Sequence, residues 1–180
     1  MSLPSDHRTR IKICGLTREA DVIDAVQAGA DAIGFVLYEK SPRYVSAQRA
    51  KELAALLPPF VTPVLLFVNA SASLLQAARE AVPHAVWQFH GDELPSDCDQ
   101  AQRPYFRAAR MAPGFNLLDF ACSYPNAQAI LVDAHVEGYG GGGQVFDWSL
   151  LPQGLSRPMI LSGGLHPGNV MDGVKQVRPW

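Results

Sequence analysis

The chain has 180 residues, 48% of them hydrophobic and 18% charged, and a formal net charge of -2. That is the profile of one globular domain with a substantial core, and it excludes an extended disordered chain and the basic footprint of a nucleic-acid binder. No apolar run nears the ~20 residues of a membrane span, the polar segment Met1–Arg10 lacks the apolar core of a signal peptide, and three unevenly spaced cysteines, Cys14, Cys98 and Cys122, fit a reducing cytoplasm better than a disulfide or zinc framework.

In chain order, residues 1–9 read as an N-terminal tail and 10–180 as a single domain. The first strand is Ile11–Cys14, where Ile11 and Ile13 alternate with polar residues. Gly15 breaks it, and Thr17 with Glu19 and Asp21 marks a helix start over Arg18–Ala28. Cys14 therefore ends a strand just before a helix N-terminus, the sheet edge where parallel α/β proteins bind ligands. There it is either a small buried hydrophobe or a thiolate favoured by the helix dipole.

The second strand, Ala32–Val36, leads into Ser41-Pro42-Arg43. Pro42 stiffens that loop, so Arg43 is either a held guanidinium suited to a substrate carboxylate or a solvated surface arginine. A helix over Ala47–Leu57 and a strand over Pro63–Val68, ending at Asn69, follow. Next come a helix over Ala72–Ala81 and a strand over Ala85–Phe89 that ends in His90-Gly91-Asp92-Glu93. His90 reads equally as a substrate contact or a satisfied strand-end histidine, while Asp92 and Glu93 read as the start of the next helix. The helix itself is unassigned, because Asp92–Gln102 is polar and carries Pro95.

Strands over Tyr105–Ala108, Ile130–Val132 and Met159–Leu161 complete seven, and Asn169–Val177, opened by Pro167, reads as a further helix. Asp133 closes the sixth strand, where a carboxylate serves as a cap, an ion-pair partner or a general acid with a burial-raised pKa. Gly140–Gly143 read as a flexible linker or as a lid or phosphate-gripping loop, and Phe146 and Trp148, expected to tie the far end into apolar packing, favour the latter. Gly163-Gly164 follow the seventh strand, where they read as a tight turn needing glycine or, favoured by the strand they follow, as the phosphate turn that phosphate-handling barrels place there. The five histidines show no metal-ligand spacing, and no metal is expected.

Alternating strands and helices imply a parallel α/β sheet, doubly wound or closed as a barrel. Chemically loaded residues after strand upon strand favour the barrel, whose loops converge on one mouth. Taken in order, Lys12–Thr17, Asp31–Val36 with Ser41-Pro42-Arg43, Pro63–Asn69, Gln88–Glu93, Leu131–Asp133, the glycine loop with Phe146-Asp147-Trp148, and Leu161–Leu165 resemble phosphoribosylanthranilate isomerase of tryptophan biosynthesis.

The resemblance implies a (β/α)8 TIM barrel that works without metal or organic cofactor. It implies an Amadori rearrangement of N-(5-phosphoribosyl)anthranilate, with Asp133 as general acid and Cys14 as general base. Arg43 would hold the anthranilate carboxylate, and Gly163 and Gly164, with Gly142 and Gly143 of the glycine loop, would grip phosphate; His90 stays a candidate substrate contact on its position alone. The implied partner is a small phosphorylated substrate, with no nucleic acid and no membrane, in the cytoplasm; oligomeric state is not readable.

The family continues into an eighth strand with a Ser-Ser-Gly-type phosphate turn and a last helix, none of which follows Trp180. The sequence is therefore expected to be part of a longer chain, and a molecule ending here to be weakly active and prone to association through open strand edges. Two alternatives stand beside the isomerase: another phosphosugar barrel enzyme, such as an epimerase or indole-glycerol-phosphate synthase, and an inactive phosphate-binding barrel fragment. The first lacks the metal-binding histidines or catalytic lysine it would need; the second has only the missing eighth unit in its favour.

Overall fold

The structure is a computed structural model that describes residues 8–134, 146–152 and 154–180. They form two compact units, Arg10–Pro104 and Tyr105–Trp180, each built from strand-then-helix repeats.

In the first unit, β1 (Lys12–Cys14), β2 (Ala32–Val36), β3 (Thr62–Phe67) and β4 (Val86–Phe89) pair in parallel in chain order. The register aligns Cys14 with Gly34, Gly34 with Val64, and Val64 with Val86. Partners on neighbouring strands project to the same face and alternate residues to opposite faces. One face thus carries Cys14, Gly34, Val64, Leu66, Val86 and Gln88, and the other carries Leu65, Phe67, Trp87 and Phe89. The Phe67, Trp87 and Phe89 rings lie 4.9–6.0 Å apart by centroid, in tilted and edge-on contacts.

Helices α1 (Glu19–Gln27), α2 (Ala47–Ala54), α3 (Ala72–Ala81) and α4 (Pro95–Gln100) link these strands or follow the last of them. The Arg79 guanidinium of α3 lies over the Trp87 ring at 5.9 Å, so the aromatic face is the one the helices cover. The Ser46 and Ser71 hydroxyls cap α2 and α3 by accepting from Arg49 N and Leu74 N. Pro95, which obscures α4 in the sequence, occupies its first turn, where a missing N–H is harmless. Asp97 takes the Leu94 N–H there at 2.9 Å.

In the second unit, β5 (Tyr105–Met111), β6 (Ala129–Ala134) and β7 (Met159–Leu161) pair in parallel, β6 between its two neighbours. Helices α5 (Leu117–Ser123) and α6 (Val170–Val177) and one 3-10 turn, Trp148–Leu150, accompany them. Strand β5 runs three residues beyond the Tyr105–Ala108 expected, taking in Ala109, Arg110 and Met111, because Arg110 belongs to the strand and pairs in register with Asp133. Arg107 is buried, with its guanidinium 5.5 Å from the Phe120 ring and 4.9 Å from the Tyr124 ring, so it packs as part of an aromatic stack under α5. A cationic residue in that setting breaks the hydrophobic period without breaking the strand. Helix α5, absent from the sequence reading, is capped by Asn116, whose Oδ1 accepts from Leu118 N and Asp119 N.

The far end of the glycine-rich segment is tied down as expected at Trp148: a Cβ on Gly173 of α6 would come within 3.1 Å of the Trp148 ring and 3.0 Å of Leu161 Cδ2. Leu161 pairs with Val132, two residues from Ile130, which itself pairs with Met159 and Arg107. The face bearing Arg107, Ile130, Val132 and Leu161 is therefore the helix-covered one, and Ala108, Arg110, Leu131 and Asp133 share the opposite face.

On the surface, Arg49 of α2 donates to Glu19 at 2.6 Å and to Glu52 at 3.1 Å. The hydrogen bond from Arg49 holds the Glu19 carboxyl down to about 2, from an ordinary 4.5. A depressed carboxylate pKa stabilises the fold above pH ~4.5, and that stabilisation is lost as pH falls toward 2. Carboxyl 13C NMR should find Glu19 still ionised at pH 3, and Arg49→Met should return its midpoint to the ordinary carboxylate range. A wild-type midpoint above 4 would show that the pair does not persist in solution.

Candidate active site

Each unit brings chemically loaded side chains to the carboxyl ends of its strands, on the face turned away from its helices. In the first unit these are Cys14 at the end of β1 and His90 one residue past the end of β4. His90 lies four residues beyond Val86, so it projects to the same face as Cys14. Cys14 is a partly exposed free thiol. His90 is buried at 5% exposure, with Nδ1 2.9 Å from the Gln88 side-chain nitrogen. The amide nitrogen donates there, which makes Nδ1 the acceptor and puts the proton of a neutral ring on Nε2.

Arg43 is held as the Pro42 turn predicts. Its N–H meets Ser41 Oγ at 3.2 Å, Tyr44 N closes onto Ser41 O at 3.0 Å, and Val45 N returns to Val36 O at 2.9 Å. The guanidinium crosses directly over Gly15, where a Cβ would stand 2.6 Å from its Cδ and Nη1. From there Nη1 donates to Cys14 O at 2.9 Å. Gly15 has φ 85, a conformation that favours glycine, and its own N–H bonds Gly34 O at 2.8 Å. Arg43 is exposed, so the side chain that pins the end of β1 keeps other donors toward solvent.

The β3 and β4 loops are joined by a residue with a different job from the one its position suggests. Glu93 does not start the helix, which begins at Pro95. Its buried carboxylate accepts from Asn69 N at 2.7 Å through one oxygen and from Gly91 N at 2.9 Å through the other. Asn69, at φ 49, accepts in turn from Asp92 N at 2.8 Å through Oδ1. A Cβ at Gly91 would stand 2.5 Å from that same Oδ1, so the loops meet at glycine distance. The only local hint was Asn69 directly after a strand, since left-handed backbone favours asparagine.

In the second unit Asp133 ends β6, buried at 8% exposure and paired in register with Arg110 of β5, so both lie on the face away from the helices. Asp133 Oδ1 accepts from Ala134 N at 2.9 Å. Gly163 and Gly164 follow β7 with φ 84 and 62, two successive left-handed residues, and Asn169 donates to Gly164 O at 2.9 Å. Gly142 and Gly143 lie outside the described residues. Among the described residues no group of three or more His, Cys, Asp and Glu side chains is placed to hold a metal ion, and no helix is long and apolar enough to cross a membrane.

Comparison with known proteins gives a consistent answer. The family model for N-(5'phosphoribosyl)anthranilate (PRA) isomerase matches residues 11–180. N-(5'-phosphoribosyl)anthranilate isomerase of Leptothrix cholodnii is 65% identical over 98% of this chain and 80% of its own length. The Pseudomonas aeruginosa protein of the same name is 54% identical over 95% of this chain and 82% of its own. Among solved structures, phosphoribosyl anthranilate isomerase from Thermus thermophilus superposes with a TM-score of 0.83 at 32% identity, covering 94% of this chain and 84% of that one. The Thermotoga maritima enzyme gives 0.82 at 36% identity over 96% and 85%. A complex of the isomerase with reduced 1-(o-carboxyphenylamino)-1-deoxyribulose 5-phosphate gives 0.79 at 34% identity over 96% and 84%. The fold is that of the (β/α)8 barrel, of which the described residues supply seven parallel strands.

The Glu93 link can be tested apart from chemistry. Glu93→Gln replaces one acceptor oxygen with an NH2 group that faces a backbone N–H. It should lower unfolding free energy by about 1–3 kcal/mol in urea titrations. Wild-type stability in that variant would show that the carboxylate does not hold the two loops.

Proposed function

The chain belongs to the N-(5'-phosphoribosyl)anthranilate isomerase family, and we propose how its residues divide that reaction. The enzyme converts N-(5-phosphoribosyl)anthranilate to 1-(2-carboxyphenylamino)-1-deoxyribulose 5-phosphate in tryptophan biosynthesis. The overall change moves hydrogen from C2 to C1 of the sugar, so it needs one group that gives a proton and one that takes one.

Asp133 is the general acid. It protonates the ribose ring oxygen as the C1–O bond breaks, while the anthranilate nitrogen lone pair forms the C1=N bond of a protonated Schiff base. Cys14 is the general base. It removes the C2 proton, the electron pair moves to form the C1=C2 bond of an enolamine, and the nitrogen is neutralised. A proton delivered to C1, as the C2 hydroxyl gives up its own proton and the C2=O bond forms, then gives the aminoketose. The observation that carries this reading is the placement of both side chains at carboxyl strand ends on the helix-free face of their units, in a chain 65% identical to a named isomerase.

Arg43 binds the anthranilate carboxylate, supported by a guanidinium already fixed by Cys14 O with other donors directed to solvent. His90 contacts substrate from the Cys14 face. Gly163 and Gly164, with Gly142 and Gly143, grip the phosphate; the successive left-handed backbone at 163 and 164 supports this, because such turns direct N–H groups toward an anion. A small phosphorylated substrate is thus the partner, residues 10–180 act as one barrel domain, and the enzyme works in the cytoplasm.

Cys14→Ser and Asp133→Asn should each lower kcat by about 10²- to 10⁴-fold with modest change in KM, measured by loss of phosphoribosylanthranilate fluorescence. Full turnover in either variant would remove that residue from its role.

A further inference from the structure

The two atoms assigned to proton transfer share a feature that the reaction scheme does not require: each lies against a glycine. Gly34 is the direct register partner of Cys14. A Cβ at Gly34 would stand 2.6 Å from Cys14 Sγ and 3.2 Å from both Cα and Cβ of Cys14. In the other unit, a Cβ at Gly163 would stand 2.6 Å from Asp133 Oδ1 and 2.6 Å from Ala134 N. Ordinary contacts between heavy atoms lie at about 3.5–4.0 Å, so admitting a methyl group at 34 requires the thiol to retreat by roughly 1 Å.

The tightest of these contacts is to the sulfur, and the backbone conformation at position 34 does not ask for glycine. Gly34 is absent from the left-handed glycines, which include Gly15 and Gly163, so alanine fits its backbone. It sits inside a strand whose neighbours Ile33, Phe35 and Val36 are all buried and apolar, where glycine weakens the strand and leaves nothing to pack. A residue that works against its own strand and matches one sulfur atom has a local cause.

We infer that Gly34 is a positioning residue of the reaction: its bare Cα is the surface against which the Cys14 thiol rests, and it fixes where the base stands along the β1–β2 seam. Gly163 stands in the same relation to Asp133, in addition to the phosphate role proposed for it. The inference rests on the assignment of Cys14 as the base. Proton abstraction from carbon depends steeply on donor–acceptor distance, so a displacement near 1 Å costs turnover far more than substrate binding.

Gly34→Ala is the test, because it changes space and leaves the chemistry in place. Three quantities are read: steady-state kinetics, thermal unfolding, and the iodoacetamide alkylation rate of Cys14 resolved by peptide mass spectrometry, with exposed Cys122 as internal reference. The expected result is a kcat lower by on the order of 10²-fold with KM little changed. Alkylation of Cys14 should change severalfold relative to Cys122, which a general loss of stability would not produce. Wild-type kcat together with wild-type Cys14 alkylation overturns the inference.

Should Gly34→Ala melt early, the double variant Cys14→Ala/Gly34→Ala decides. Removing the sulfur should restore most of the lost midpoint, as coupling between touching residues demands. No recovery places the strain elsewhere and overturns the inference. The two readings also fail separately: an inactive Cys14→Ser beside a fully active Gly34→Ala removes only the positioning role, whereas a fully active Cys14→Ser removes the base assignment beneath it.

Discussion

The parallel register is the constraint on which everything else in this molecule depends. In a parallel ladder, residues paired across strands project to the same side, and a slip of one residue exchanges the two faces. Here the alignment of Cys14 with Gly34, and of Asp133 with Arg110, puts both groups proposed for proton transfer on the face opposite the helices of their own unit. The same alignment sends Phe67, Trp87 and Phe89 toward α3, and Arg107 toward Phe120 and Tyr124 of the α5 segment. Burial of the large aromatic side chains is the energetic reason the register holds. The chemistry inherits its geometry from that packing without contributing to it.

What the ladder does not secure is the strand ends, where backbone groups leave their partners and a ligand must be met. Three polar links do this work within the first unit. Arg43 crosses Gly15 to the carbonyl of Cys14, Glu93 gathers the N–H groups of Asn69 and Gly91, and Asn69 takes the N–H of Asp92. Each satisfies backbone groups that would otherwise require water. Each also depends on a glycine or a left-handed residue that lets two chains approach within side-chain distance. The carboxyl-end loops of the first unit that carry these links are therefore held by the fold itself.

The sequence makes some of this legible and hides the rest for identifiable reasons. Strands β2 and β7 and helix α3 stand where apolar spacing puts them, because in each the local pattern and the tertiary environment agree. Cys14, His90 and Asp133 are visible as residues that close apolar runs, and Arg43 by the Ser41-Pro42 turn before it. Strand β5 reads too short because Arg110, half-buried and paired in register with Asp133, interrupts the apolar run after Ala109. Helix α4 is obscured by a proline at the one place in a helix where proline is welcome. Helix α5 is short, and its signal lies in a capping asparagine more than in its period. Glu93 is misread as a helix start since its partner Asn69 lies 24 residues away, beyond any local motif. Gly34 is the hardest to see. A glycine within an apolar strand looks like a weak point until the atom resting on it is known.

That last position has a wider consequence. The separation of two hydrogen-bonded strands is about 4.8 Å in any parallel sheet and varies little with the side chains around it. A thiol that rests on the bare backbone of its neighbour is thus referenced to a length that substitutions elsewhere do not alter. Substitutions on the helix-covered face that keep the register therefore leave the proposed base where it stands. With Gly34 in the proposed role, one missing methyl group ties the position of the thiol to the ladder alone, and the outer shell is open to redesign as long as the aromatic burial that holds the ladder is preserved.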